Sequence, residues 1–263
     1  MATKSRRKIL TVFLLLFAVS QAATLVTPHV NASQLTSAAP TMWHSQQVYL
    51  SVRMVGGPEW ARNSVIRAMN EWNTQQEAFI QKYYHNESYS LPNTCVTDTT
   101  VSCVQSVEAR NAVANSYVLY EDENTAAPMV TIIFGDVHSQ QAAAIEHASS
   151  ELAVTGFDGT KFTISVLPVL TNVPDNGTSR EVMYRIMVHE FGHVMGLGHI
   201  FDGKDIMDGN AYFLTNIDKK SYISTVDLYA IRNLAMLGDG KLKPYSFITL
   251  PATIPYQLVD VDQ

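Results

Sequence analysis

The order of segments along this chain predicts an α/β or α+β fold, one sheet with helices packed on it. Three observations carry that expectation: several β-patterned segments before residue 170, a long amphipathic helix inserted early among them, and two more helical segments after them. "QVYLSVRM" (47–54) alternates apolar and polar residues as a strand does, and Gly56, Gly57 and Pro58 end it. From Glu59 to about Lys82, the residues Val65, Met69, Trp72 and Phe79 recur at helical spacing and form one buried stripe, with Pro58 suited to the start. Residues 83–115 have poor periodicity and read as an insertion loop. "SYVLYE" (116–121) and "MVTIIFG" (129–135) are rich in β-branched and aromatic residues and read as strands. "SQQAAAIEHASS" is either a short helix or an irregular crossing. "ELAVTGF" and "KFTISVLPVL" flank Asp158-Gly159-Thr160 and read as a hairpin, with Asp-Gly as the turn signal. Helical pattern resumes at Ser179 and runs through Met195, and an amphipathic segment from Thr225 to Leu237 closes the fold.

With 263 residues, 46% of them hydrophobic and 16% charged, the chain has the composition of a globular protein with one main domain. Its first residues differ in kind. Lys4, Arg6, Arg7 and Lys8 precede an apolar run from Ile9 to Val19, and Ser20-Gln21-Ala22-Ala23 follow. That run is short for a bilayer span and has the three-part layout of an export signal, so residues 1–22 are expected to be removed. A later cut near Ala32 and an uncleaved anchor are the alternatives, and the catalytic-type domain is placed at 41–263. "SRRKIL" resembles a twin-arginine signal, although the dense "FLLLF" favours an ordinary basic start. The expected location is outside the cell or at its surface.

Removing residues 1–22 takes away four basic residues and no acidic one, moving the formal charge from −6 to −10. Such a chain repels phosphate backbones, which argues against nucleic acid as a partner. Cys95 and Cys103, the only cysteines, bracket "VTDTTVS" inside the insertion loop. In an exported chain such a pair forms a disulfide most simply, two reduced and buried thiols being the alternative. Asn31, Asn86 and Asn176 each begin an N-x-S/T triplet. No second run is long enough for a membrane helix, so the mature chain is expected to be a soluble monomer.

The most informative stretch is "HEFGHVMGLGH", residues 189–199. His189 and His193 lie four apart on the expected helix, so both rings leave one face and can reach one ion. Glu190, one step round, points beside that ion. Gly196 stands where the helix must stop, and a left-handed glycine there reverses the chain and returns His199. Three neutral imidazoles with an open fourth position match a catalytic zinc, whereas a structural zinc is closed by four protein ligands. From this chain's own composition the full pattern arises by chance in roughly one chain in 10⁵. An ordinary buried helix would pay heavily for three unpartnered imidazoles and a carboxylate.

Residues 189–199 resemble the zinc motif of the metzincin metalloproteases, and "DIMD", with Met207 eight residues on, resembles their Met-turn. Trp72 on a long first helix, and "MVTIIFG" and "FTISVLPV" ahead of the zinc helix, are most similar to the matrixin-like branch. The resemblance covers residues 43–237, its specific part being the zinc motif. It implies a zincin-like fold: a twisted, mixed five-stranded sheet with long helices, a zinc helix, a Met-turn and a C-terminal helix. It also implies His189, His193 and His199 as zinc ligands, Glu190 as the catalytic residue, and Met207 as an apolar floor beneath the metal. Two features depart from the matrixin pattern. Ile200 stands where a serine or threonine is usual, and the chain shows no cysteine-bearing propeptide ahead of Trp43.

The expected function is that of a secreted zinc endopeptidase acting on proteins or peptides, with Glu190 as general base and then general acid. A non-catalytic zinc module for binding or adhesion is the alternative, and the presence of Glu190 favours the enzyme. The strand at Leu152 to Phe157 is a candidate edge for pairing an extended substrate, a plain buried edge strand being equally open. Asp202, Asp205 and Asp208 could hold calcium but lack EF-hand spacing and read instead as solvated turn residues. His138 and His147 read as isolated histidines in preference to a second metal site, and Tyr212 is close enough to Met207 in sequence to suggest transition-state support.

Overall fold

A computed structural model describes residues 32–34, 47–84, 116–135, 152–200, 203–237 and 247–261. The chain begins with β1 (Ala32–Gln34) and β2 (Gln47–Val55), then α1 (Glu59–Tyr83). Pro58 caps α1 through its carbonyl, which accepts from the Ala61 and Arg62 amides. Next come β3 (Ser116–Glu121), β4 (Val130–Phe134), β5 (Ala153–Phe157) and β6 (Phe162–Val166). The strand expected to run through "VLPVL" ends at Val166, because Pro168 cannot donate to the ladder and instead opens a single turn, α2 (Pro168–Thr171). Then follow α3 (Gly177–Val194), α4 (Ala211–Thr215), β7 (Tyr222–Ser224), α5 (Thr225–Leu237), β8 (Phe247–Thr249) and β9 (Leu258–Asp260). The start of α3 lies two residues earlier than the sequence pattern suggests, since Asn176 caps it by accepting from the Ser179 amide. Residues 31–263 make one compact unit. Residues 1–30, the insertion loop with Cys95 and Cys103, "SQQAAAIEHASS", His138, His147 and Asp202 lie outside the described residues.

The main sheet has five strands in the order β3-β2-β4-β6-β5. β3, β2, β4 and β6 run parallel, and β5 pairs antiparallel with β6 through the hairpin whose ends are Phe157 and Phe162. Asp158 shapes that turn by accepting from the Thr160 and Lys161 amides. The mixed sheet expected from the resemblance is therefore present. On one face of its centre Val130, Ile132 and Phe134 of β4 and Phe162, Ile164 and Val166 of β6 are buried, while alternate residues are half-exposed. α1 and α3 pack together with this core. Trp72 of α1 is completely buried, and its indole nitrogen donates to the Val188 carbonyl of α3 at 2.8 Å.

β3 is an edge strand, and an edge presents unpaired backbone groups. Two amide side chains one turn apart on α1 meet that need. Asn73 donates to the Leu119 carbonyl at 2.8 Å and accepts from the Leu119 amide at 3.1 Å. Gln76 makes the same pair of bonds with Tyr117, each at 3.0 Å. The two-residue step of the strand and the three-residue step of the helix fall into register, so the edge is closed by side chains. In two smaller ribbons β1 pairs with β8 and β7 with β9. Among the described residues no helix is long and apolar enough to cross a membrane.

Replacing Asn73 with alanine leaves the buried amide and carbonyl of Leu119 without their partners. Urea unfolding should show a loss of about 2–3 kcal/mol; a change under about 0.5 kcal/mol would mean that water takes over both groups at no cost.

Candidate metal centre

α3 delivers His189 and His193 on one face and then stops in a way that decides where His199 falls. Gly196 has φ +100°, its amide donates to the His193 carbonyl at 3.0 Å, and the Leu197 amide donates to the Gly192 carbonyl at 2.9 Å. This pair of bonds is the Schellman termination, which turns the chain back on itself. The same reversal brings the Leu197 carbonyl to 2.8 Å from His193 Nδ1. The segment before Met207 supplies the matching contact for the other histidine of α3, the Ile206 carbonyl lying 2.7 Å from His189 Nδ1. A carbonyl oxygen only accepts, so both Nδ1 atoms carry the hydrogen and both Nε2 atoms present a lone pair.

Those lone pairs meet. His193 Nε2 lies 3.0 Å from His189 Nε2 and 3.1 Å from His199 Nε2, and 3.3 Å closes the triangle. With no hydrogen between the first two, that contact is a repulsion unless a cation sits among the rings. A tetrahedral ion with nitrogen ligands at about 2.0–2.1 Å would hold them about 3.3–3.4 Å apart, so the donor set fits zinc. All three rings also stay in the neutral, ligating form. Burial pushes His189 far below the ordinary imidazole value and His193 down to about 4, with the neighbouring histidines adding to the effect. Burial lowers His199 as well, against the pull of Asp208. The three histidines are the one group able to hold a metal ion among the described residues.

Met207 is fully buried beside this cluster. A Cβ added to Gly192 would lie 2.2 Å from Met207 Sδ and 2.9 Å from its Cε. The thioether therefore rests directly on the helix backbone between His189 and His193. Gly192 was not singled out from the sequence, yet a glycine inside a helix usually has a packing reason, and this is it. The loop around Met207 is tightly tied. The Ile200 amide donates to the Met207 carbonyl at 2.9 Å, and the Ile206 amide to the Tyr222 carbonyl of β7 at 2.7 Å. Ile200, which replaces the expected serine or threonine, is buried and serves this loop through its backbone.

The reading of Asp205 and Asp208 as solvated turn residues is not what the structure shows. They are 1% and 3% exposed. Asp205 Oδ1 accepts from the Met207 amide at 2.8 Å, and Asp208 accepts from the amides of Gly203 and Asn210, at 2.7 and 2.8 Å. Carboxylates recruit backbone donors in tight turns, and here they staple the Met-turn from within. Burial, together with the buried Asp227 carboxyl beside it, raises the Asp205 carboxyl well above the ordinary range. Tyr212 is exposed on α4, and its hydroxyl accepts from Asn216 Nδ2 at 2.8 Å.

Glu190, only 5% exposed, receives the hydroxyl of Thr155 from β5: Oγ1 lies 2.5 Å from Glu190 Oε2 and 3.4 Å from the Glu190 carbonyl. No sequence signal distinguishes Thr155, because the contact joins residues on two elements. The same holds for Arg185, buried on α3, whose guanidinium donates to the carbonyls of Asn216 and Lys219 and so holds the loop after α4.

A mixed sheet over a helix with two metal-ready histidines, a third returned by a glycine turn and a buried glutamate next in sequence to the first match the zinc-metalloprotease class. The sequence model of the matrixin peptidases matches residues 63–235, more than half of the chain, and the chain belongs to that family. Among solved structures, the chain is similar to myroilysin at 14% identity and a TM-score of 0.33, covering 66% of this chain and 56% of that one. It is also similar to a chain in the GM1-bound form of the ECX AB5 holotoxin, at 9% identity and a TM-score of 0.40, covering 78% and 88%. Both scores are too low to bear on function. No curated protein matches the chain.

Gly192→Ala forces Met207 off the helix, and calorimetry should show a loss of about 1–3 kcal/mol with weaker zinc retention in dialysis. Adding Met207→Ala to Gly192→Ala should recover part of the zinc retention, since the clash is gone. Equal retention by Gly192→Ala and the parent would show that this close approach does not matter.

Proposed function

We propose that this chain is a secreted zinc endopeptidase, with His189, His193 and His199 as the metal ligands and Glu190 as the residue that moves the proton. The observation that carries the reading is the convergence of three imidazole nitrogens within 3.0–3.3 Å of one another, with Glu190 one residue from the first. When bound, zinc supplies a Lewis-acidic charge that eases deprotonation of water and polarises a carbonyl. Glu190 takes the proton from the water that attacks the peptide carbonyl carbon, then delivers it to the nitrogen as the C–N bond breaks. The Ile206 and Leu197 carbonyls hold the two imidazoles of α3 in the tautomer and orientation that ligation needs. Met207 underlies the ligands as a buried, polarisable floor.

β5 ends the sheet on the side that touches Glu190, and an extended polypeptide is the substrate that pairs with such an edge. The basic start and apolar run within residues 1–22 support export, and export in turn supports a Cys95–Cys103 disulfide. We take the mature enzyme, from about residue 23 onward with its catalytic domain at 41–263, as a monomer acting outside the cell or at its surface.

Glu190→Gln keeps the size and the metal ligands but cannot accept the proton. Casein zymography and a solution assay should show a loss of about 10²–10⁴ in turnover with one zinc still bound, and a chelator should silence the parent. Equal peptide release by parent and variant would mean the chain is a zinc-holding module without hydrolytic activity.

A further inference from the structure

The strong bond to Glu190 comes from the sheet, not from the helix that bears it. Thr155 sits in β5, the terminal strand, and its hydroxyl carries a single hydrogen. At 2.5 Å the carboxylate oxygen Oε2 takes that hydrogen, and the main-chain carbonyl at 3.4 Å is a distant second acceptor. A hydroxyl on a carboxylate at such a distance is a charge-assisted bond, stronger than a neutral one.

We propose that Thr155 is a positioning residue for proton transfer: its hydroxyl engages Glu190 Oε2 and thereby assigns the travelling proton to Oε1. This rests on the reading of Glu190 as the proton carrier. The assignment is chemically balanced through the cycle. The ionised carboxylate accepts the Thr155 hydrogen on Oε2; when water gives up its proton, that proton bonds to Oε1. Oε2 is then the carbonyl-type oxygen of a neutral carboxyl group and still accepts from Thr155. Release of the proton to the departing nitrogen restores the carboxylate, and Thr155 keeps its own hydrogen throughout. Because the donor belongs to the edge strand, the proton carrier is registered to the sheet edge as well as to the zinc helix, so the strand that aligns an extended chain also aligns the group that cleaves it.

The test uses the full-length protein loaded with zinc, with labelled casein as substrate. Thr155→Val removes the hydroxyl and suits a strand; Thr155→Ala is a second hydroxyl-free variant, and Thr155→Ser restores the donor. We expect kcat to fall about 10- to 100-fold in the valine and alanine variants, with KM within about two-fold and zinc content unchanged, and to recover mostly in serine. Independently of turnover, the infrared difference between each protein and its Glu190→Gln partner isolates the Glu190 carboxylate stretch. That band should shift when the hydroxyl is lost and return with serine. An unmoved band, parental kcat in the valine variant, or serine behaving like valine would overturn the proposal. If Glu190→Gln hydrolyses casein as fast as the parent, the protease reading falls, while the infrared bands still decide whether Thr155 holds Glu190.

Discussion

The constraint on which the molecule turns is the mutual repulsion of imidazole lone pairs held at hydrogen-bond distance without a hydrogen between them. Buried carbonyls fix the protons of His189 and His193 on Nδ1, so their Nε2 atoms face each other at 3.0 Å as two acceptors. Burial meanwhile holds the rings neutral, removing the protonation that would otherwise relieve the conflict. A shared cation is the remaining partner, and neutral imidazole is the form that binds one. The fold thus spends part of its stability on a cluster that only a metal ion makes favourable.

Much of the architecture can be understood as the means of sustaining that cluster. Trp72 ties the first helix to the Val188 carbonyl, one residue before His189, and thereby anchors α3 to the main core. The Schellman turn at Gly196 serves twice, returning the chain toward His199 and presenting the Leu197 carbonyl to His193. The Met-turn also serves twice, with the Ile206 carbonyl on His189 and the Met207 thioether on Gly192. It holds its shape because Asp205 and Asp208 bind its amides and β7 pairs beside it, and β7 in turn is held by β9. Segments distant in sequence are thereby linked to the three histidines, largely through hydrogen bonds between side chains and backbone groups.

What could be read from the sequence was what depends on local periodicity. The long first helix and the closing helix follow from spacing, the β3 strand from its β-branched and aromatic residues, and the three-histidine cluster from four-residue spacing plus one glycine. The short elements α2 and α4 and the strands β1, β7, β8 and β9 went unforeseen, because segments of three to five residues carry too little pattern to separate from loop. Pro168 marks the end of β6, since a proline cannot donate inside a laddered strand, while the apolar residues around it carry the pattern of a longer strand. Asp205 and Asp208 look solvent-bound in a list of letters, and their burial follows only once the loop is seen wrapped round their carboxylates. Asn73, Gln76, Thr155 and Arg185 act across elements, where one sequence without its fold is silent.

X-ray absorption at the zinc edge on the purified, zinc-loaded protein addresses the central claim most directly. The account predicts one zinc per chain with three imidazole nitrogens at about 2.0–2.1 Å and a remaining position filled by a light, non-protein atom. A shell with fewer than three imidazoles, or one closed by a fourth protein ligand, would contradict it.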